Sequence, residues 1–195
     1  VSNFSLLKDK LKVLLLSFLV VGIFIGSILF SQSISDNETI LTIVDKFGYL
    51  GVMCMAIIAG LNTFVPLPAA TFASVFIAAG LTLPLIVLSL AIGTLIADFV
   101  GYVFGNVTRE IIIKKYPKLF DFIQKLQEKH HKLILPLVFL YASFVPFPNE
   151  VIIIPLALSG ISFKKILIPL ILGNFVHQAV LIYGVTSLTA VLPWV

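Results

Sequence analysis

The chain carries FVPLP at Phe64–Pro68 and FVPFP at Phe144–Pro148, each set within an apolar stretch. Laid over one another without a gap, the two copies keep matching. Gly80 falls on Gly160, Ile86 on Ile166, Leu90 on Leu170 and Gly93 on Gly173. Eight of the thirty-five positions from Phe64 to Asp98 are identical. The prolines and glycines carry most weight, because they set backbone geometry. Against the alternative of two unrelated proline breaks, the pattern reads as an internal duplication, the plan of many transporter folds.

Around this core the composition is that of a membrane protein. Of 195 residues, 59% are hydrophobic and 11% charged, with a mean hydropathy of +1.14; a soluble domain carries about 25% charged residues. Backbone groups in lipid need internal partners, so the expected class is all-α. A single cysteine, Cys54, excludes an intrachain disulfide. The net charge of +4 reads as membrane topology, and no nucleic-acid module is present. No nucleophile–base pair, metal-ligand cluster or phosphate loop stands at recognisable spacing, which argues against an enzyme, a cofactor or a metal.

In chain order, Lys8, Lys10 and Lys12 precede an apolar run, Val13 to Phe30, with Gly22 and Gly26 at helix-dimer spacing. The run is long for a signal peptide and is read as a transmembrane helix. Ser35 and Glu38 suggest a capping box opening a short amphipathic surface helix that stops at Gly48, which completes an N-terminal unit, 1–48. Repeat 1 spans 49–106. Tyr49 to Thr63 is apolar until Asn62, Pro66 and Pro68 break it. Ala69 to Gly80 then reaches about 18 Å at 1.5 Å per residue, short of the roughly 30 Å hydrocarbon core. Two short arms about a proline turn predict a re-entrant hairpin, whose irregular backbone must be buried or line a wet cavity. Leu83 to Gly105 is long enough to cross, with Gly93, Ala97, Gly101 and Gly105 as a small-residue contact stripe, which could also serve a homo-oligomer.

The segment 107–132 is basic and amphipathic. Its Glu110–Lys114, Asp121–Lys125 and Glu128–Lys132 pairs and Pro117 at a first helical turn predict an interfacial helix from Thr108 to Lys132, with His130-His131 solvated. Repeat 2, 133–195, follows the plan of repeat 1. Leu133 to Val145 enters, Pro146 and Pro148 form the tip, Asn149 to Gly160 leaves, and Ile166 to about Gly184 crosses. With the N-terminus and residues 108–132 cytoplasmic and the C-terminus outside, twelve of thirteen Lys and Arg residues lie inside and only Lys46 outside. Three crossings then separate two hairpins that enter from opposite faces, an inverted repeat.

Ionisable groups within lipid are functional candidates by default, since a mid-membrane carboxylate costs about 2.5–3.5 kcal/mol on insertion scales. Asp98 and Glu150 could therefore line a substrate or proton path with Asn62, Asn149, Asn174 and His177. The duller reading has Asp98 and His177 bonding each other or backbone, and Asn62 and Asn149 capping hairpin arms. The repeat alignment pairs Asp98 with Gln178.

These features resemble the DedA/VTT-domain membrane proteins, which include eukaryotic lipid scramblases of autophagy. The resemblance runs from about Gly51 to Gly184. It rests on the first proline turn, on Asp98-Phe-Val-Gly-Tyr102-Val-Phe-Gly105, on Ala142-Ser143-Phe-Val-Pro146-Phe-Pro148-Asn149 with Ser159-Gly160, and on Gly173-Asn174. Bacterial members carry a Glu before the first turn, where this chain has Asn62. They carry arginines where it has Asn106, Ser143 and Asn149. The resemblance implies a multi-pass protein of a prokaryotic cell membrane whose partners are membrane lipids and, on a second reading, protons. It implies movement of phospholipid or polyprenyl-phosphate lipid between leaflets. Proton-coupled transport of a small solute or ion, and a scaffold that transports nothing, are the alternatives.

Overall fold

A computed structural model describes the backbone over residues 2–61 and 69–191, and every regular element among the described residues is helical. The first proline tip, with Asn62, Pro66 and Pro68, lies outside the described residues.

Helix α1, Ser2–Ile34, extends the expected span at both ends and closes with Ser33 and Ser35 hydroxyls donating to the Phe30 and Gln32 carbonyls. Ser35 is thus engaged behind itself, and the expected capping box does not form. Asn37, directly ahead of α2 (Glu38–Leu61), takes the cap: its Oδ1 accepts from Ile40 N at 3.1 Å. Gly48 breaks α2 at φ 52°, ψ −139°, a conformation that suits glycine. The expected stop is therefore a kink, and Tyr49–Leu61 continues as an arm of about 20 Å.

After a 3₁₀ turn at Ala69–Phe72 comes α3, Ala73–Ala78. The next helix, α4, runs from Leu83 to Lys115, well beyond the expected end at Gly105. Nothing from Asn106 to Lys115 breaks a helix. The break comes at Tyr116 (φ −134°, ψ 59°), because the residue before a proline is pushed out of the α region. The amphipathic helix α5 is accordingly Pro117–Lys129 and does not begin at Thr108. A 3₁₀ turn, His131–Leu133, leads to α6 (Ile134–Phe144), the second proline tip, α7 (Glu150–Leu158) and α8 (Phe163–Val191).

Backbone geometry repeats with the eighty-residue offset. Helices α3 and α7 end at Ala78 and Leu158, and α4 and α8 begin at Leu83 and Phe163. Gly80 and Gly160 sit at φ 82° and 84°. Each completes the same C-terminal motif: Gly80 N to Ile77 O and Leu81 N to Phe76 O, matched by Gly160 N to Ala157 O and Ile161 N to Leu156 O, all at 2.9–3.1 Å. Ile86, Ile166, Leu90 and Leu170 are all fully buried.

The packing repeats as well. The arm Tyr49–Leu61 lies on α4, and α6 lies on α8. Each contact is made close by a glycine: a Cβ on Gly93 would strike Ala56 Cβ at 2.6 Å, and one on Gly173 would strike Ala142 Cβ at 2.6 Å. The outgoing arms are exchanged, with α7 packed on α4, and α3 and the Ala69–Phe72 turn packed on α8. Each repeat thus completes the other. Large side chains such as Phe18, Val107 and Ile168 are about two-thirds exposed or more on the outside. By length and composition, α1, α2, α4 and α8 could each cross a membrane, where three crossings were expected.

Candidate functional site

Asp98 lies near the midpoint of α4, and Asn174 and Gln178 lie near the midpoint of α8. Thr94 and Asp98 are four residues apart, as are Asn174 and Gln178, so each pair occupies one helix face. Where the two faces meet, Asn174 Nδ2 donates to Asp98 Oδ2 at 2.6 Å, and Gln178 Nε2 donates to Thr94 Oγ1 at 3.0 Å. The offset of eighty maps Thr94 onto Asn174 and Asp98 onto Gln178, so it exchanges these two contacts. The order ascends on α4 while it descends on α8. The helices therefore pass antiparallel about a local pseudo-twofold.

The second proline tip closes over this crossing. Its backbone is tied to α6 by Tyr141, whose hydroxyl donates to the Pro148 carbonyl at 3.3 Å. Asn149 does not cap α7 with its side chain. Its amide nitrogen reaches Asp98 Oδ1 and Oδ2 at 3.0 and 3.1 Å and Asn174 Oδ1 at 2.9 Å. The capping alternative is thereby overturned for Asn149: a cap needs its side-chain oxygen to accept from the helix N–H groups, and here the side chain is turned so that its amide donates to Asp98 and Asn174. Asp98, 2% exposed, is held by two amides from two other elements. A carboxyl group buried this deeply is tolerable only when hydrogen-bonded.

His177 does not bond Asp98. Its Nδ1 lies 3.2 Å from the Ser143 carbonyl, which ties α8 to α6. Glu150, at the first turn of α7, is 8% exposed, and its side chain crosses α4 at Gly101, where a Cβ would lie 3.0 Å from Glu150 Cγ. The stripe on α4 is occupied within the chain: Gly93 by the α2 arm, Ala97 by Gly60, Gly101 by Glu150, and Gly105 by Ala157 of α7. Gly22 and Gly26 of α1 have nothing within 4 Å of an added Cβ.

Asp98, Asn149, Glu150, Asn174, His177, Gln178 and Thr94 line one cavity of about 440 Å³. Pro146 and Pro148 are in its wall, while Val21 and Phe24 of α1 and Ala56, Ala59 and Gly60 of α2 supply an apolar side. Sequence reasoning passed over Gln178 and Thr94 as site residues. The signal was available in the alignment that pairs them with Asp98 and Asn174. It also passed over Tyr141 and Arg109. Arg109 Nε donates to the Leu158 carbonyl at 2.8 Å, its guanidinium lies 5.8 Å from the Phe120 ring of α5, and so α4 and α5 are joined to the end of α7. Tyr102 similarly donates to the Ile161 carbonyl at 3.1 Å. Among the described residues no group of three or more His, Cys, Asp or Glu could hold a metal ion.

Apolar helices of spanning length around a buried polar cavity define a helical membrane protein. The chain belongs to the VTT-domain family, the DedA/SNARE-associated membrane proteins, whose VTT domain model matches residues 70–187. That family is generally non-enzymatic. No curated protein and no solved structure matches the chain significantly. The matched span begins after α2, yet α1 and α2 contribute the apolar side of the cavity.

Proposed function

We propose that this protein moves membrane lipid between leaflets, with the cavity as the polar part of the path. The observation that carries this reading is the two-sided cavity. A wall of Asp98, Asn149, Glu150 and Asn174 faces an apolar wall from α1 and α2, so a head group could be solvated by protein while its tails stay in lipid. Membership of the VTT-domain family supports it.

The antiparallel crossing of α4 and α8 supports the inverted arrangement. A twofold that relates antiparallel helices lies perpendicular to both, hence in the membrane plane if both cross. On this reading the two proline tips enter from opposite faces and the barrier is thinnest at the cavity. The kink at Gly48 supports a surface helix followed by a half-membrane arm, in place of a fourth straight crossing.

The test is reconstitution. In proteoliposomes, tail-labelled lipid should become accessible to an outside quencher faster than in empty vesicles. No acceleration across zwitterionic and anionic lipids refutes the proposal.

A second reading, proton-coupled solute transport, draws on the pairing of Asp98 with two neutral amides beside Glu150. It requires pH-driven uptake that is lost in Asp98→Asn or Glu150→Gln. A scaffold acting through the α4 stripe is disfavoured, because that stripe is already covered by Gly60, Glu150, Ala157 and the α2 arm.

A further inference from the structure

Hydrogen-bonding capacity in the cavity wall is unevenly distributed. The amide nitrogens of Asn149, Asn174 and Gln178 all donate within the wall, to Asp98, Asn174 and Thr94. Acceptors are left over. Gln178 Oε1 is buried without a partner, on a side chain only 7% exposed. A carbonyl can only accept, so the Nδ1 of His177 beside Ser143 O carries the hydrogen, and in the neutral ring Nε2 remains an acceptor. Among the described residues Glu150 receives no donor from another side chain, and it lines the cavity from the first turn of α7. The N-terminus of α7, which would otherwise favour an anion, already carries the chain's own carboxylate at its first residue. No Lys or Arg stands among the described lining residues.

We propose that this cavity recognises an ammonium group and favours amine-bearing lipid head groups over purely anionic ones. The inference rests on the lipid-movement reading above. An ammonium brings three donors and a positive charge, matching an excess of acceptors beside two carboxylates. An anionic head group brings acceptors and negative charge, and would face Glu150 and Asp98 with no cation to offset them. Phosphatidylethanolamine enters as a net-neutral zwitterion that can turn its nitrogen toward Glu150. The same ammonium chemistry could also come from a small free cation.

The experiment compares tail-labelled phosphatidylethanolamine with tail-labelled phosphatidylglycerol in proteoliposomes against an outside quencher, and measures methylammonium uptake in the same preparation. The expected result is a rate at least about tenfold higher for the amine lipid, the scale of one charge-assisted hydrogen bond. The ratio should fall toward one in Glu150→Gln and in Gln178→Met, with no methylammonium uptake. A ratio of two rates does not depend on the amount of folded protein. Equal rates would overturn the ammonium preference and leave lipid movement standing. Methylammonium uptake without lipid movement would uphold the ammonium site, assign it to a free cation and overturn the lipid reading. Neither flux overturns both proposals. A ratio unchanged in both variants overturns the assignment to this cavity. If one variant carries no flux, the wild-type ratio and the other variant decide.

Discussion

Replacing Asn174 with Leu probes the contact on which the cavity is built. Asn174 donates to Asp98 at 2.6 Å and accepts from Asn149 at 2.9 Å, and it is 1% exposed. Leucine keeps the number and branching of the side-chain heavy atoms, with larger methyl groups in place of O and NH2, and removes both bonds. A neutral interhelical hydrogen bond in a membrane contributes only about 0.6 kcal/mol on average, with about 1.7 as the upper end. A bond to a buried charge contributes about 1.5–3 kcal/mol, and stranding the charge costs more. With Asn149 still in place as one donor, the loss for Asn174→Leu should be about 2–4 kcal/mol. The same substitution made in Asp98→Asn should cost only about 0.6–1.7 kcal/mol, because the partner is then neutral. The cycle thus gives a coupling of roughly 1–3 kcal/mol. It is read from denaturant unfolding of the purified protein in detergent, using the two single variants and the double variant. Additivity within about 0.5 kcal/mol would refute the claim that Asn174 serves mainly to hold a charged Asp98.

Three further outcomes follow from the packing. Gly173→Ala places a Cβ 2.6 Å from Ala142 Cβ and should destabilise by about 1–3 kcal/mol, with partial rescue by Ala142→Gly; an unchanged unfolding midpoint counts against the close α6–α8 contact. Arg109→Gln removes the bond to the Leu158 carbonyl and the contact with Phe120, so protease cleavage within α5 should become faster; unchanged cleavage counts against Arg109 as the link between α5 and α7. Single cysteines at Pro68 and Phe147, in a Cys54→Ser background, should react with impermeant maleimide from opposite sides of oriented vesicles. Labelling of both from one side would remove the inverted arrangement.

How much was legible depended on whether a residue acts locally or across space. The sequence alone established the all-helical membrane character, because mean hydropathy and run length act segment by segment. It located the helix ends at Gly80 and Gly160 and their offset of eighty residues, since a glycine at φ above +80° does its work within one turn. It named Asp98, Asn149, Glu150 and Asn174, which are conspicuous because polar groups are rare in such a chain. The end of α4 was also written there, in Tyr116-Pro117, but the charged composition of residues 108–115 drew the boundary too early.

Only the tertiary structure decided which of these groups meet. Whether Asn149 caps α7 or reaches Asp98, and whether His177 faces Asp98 or the Ser143 carbonyl, depends on the rotation of helices far apart in sequence. A rotation of one residue, about 100° on a helix, would aim each elsewhere without changing the hydrophobic pattern. The same is true of Gln178, whose unpartnered oxygen becomes informative only once its position in the cavity wall is known. Composition and backbone-restricting residues select the elements, and the close packing of those elements fixes the helix rotations that turn scattered polar residues into a site.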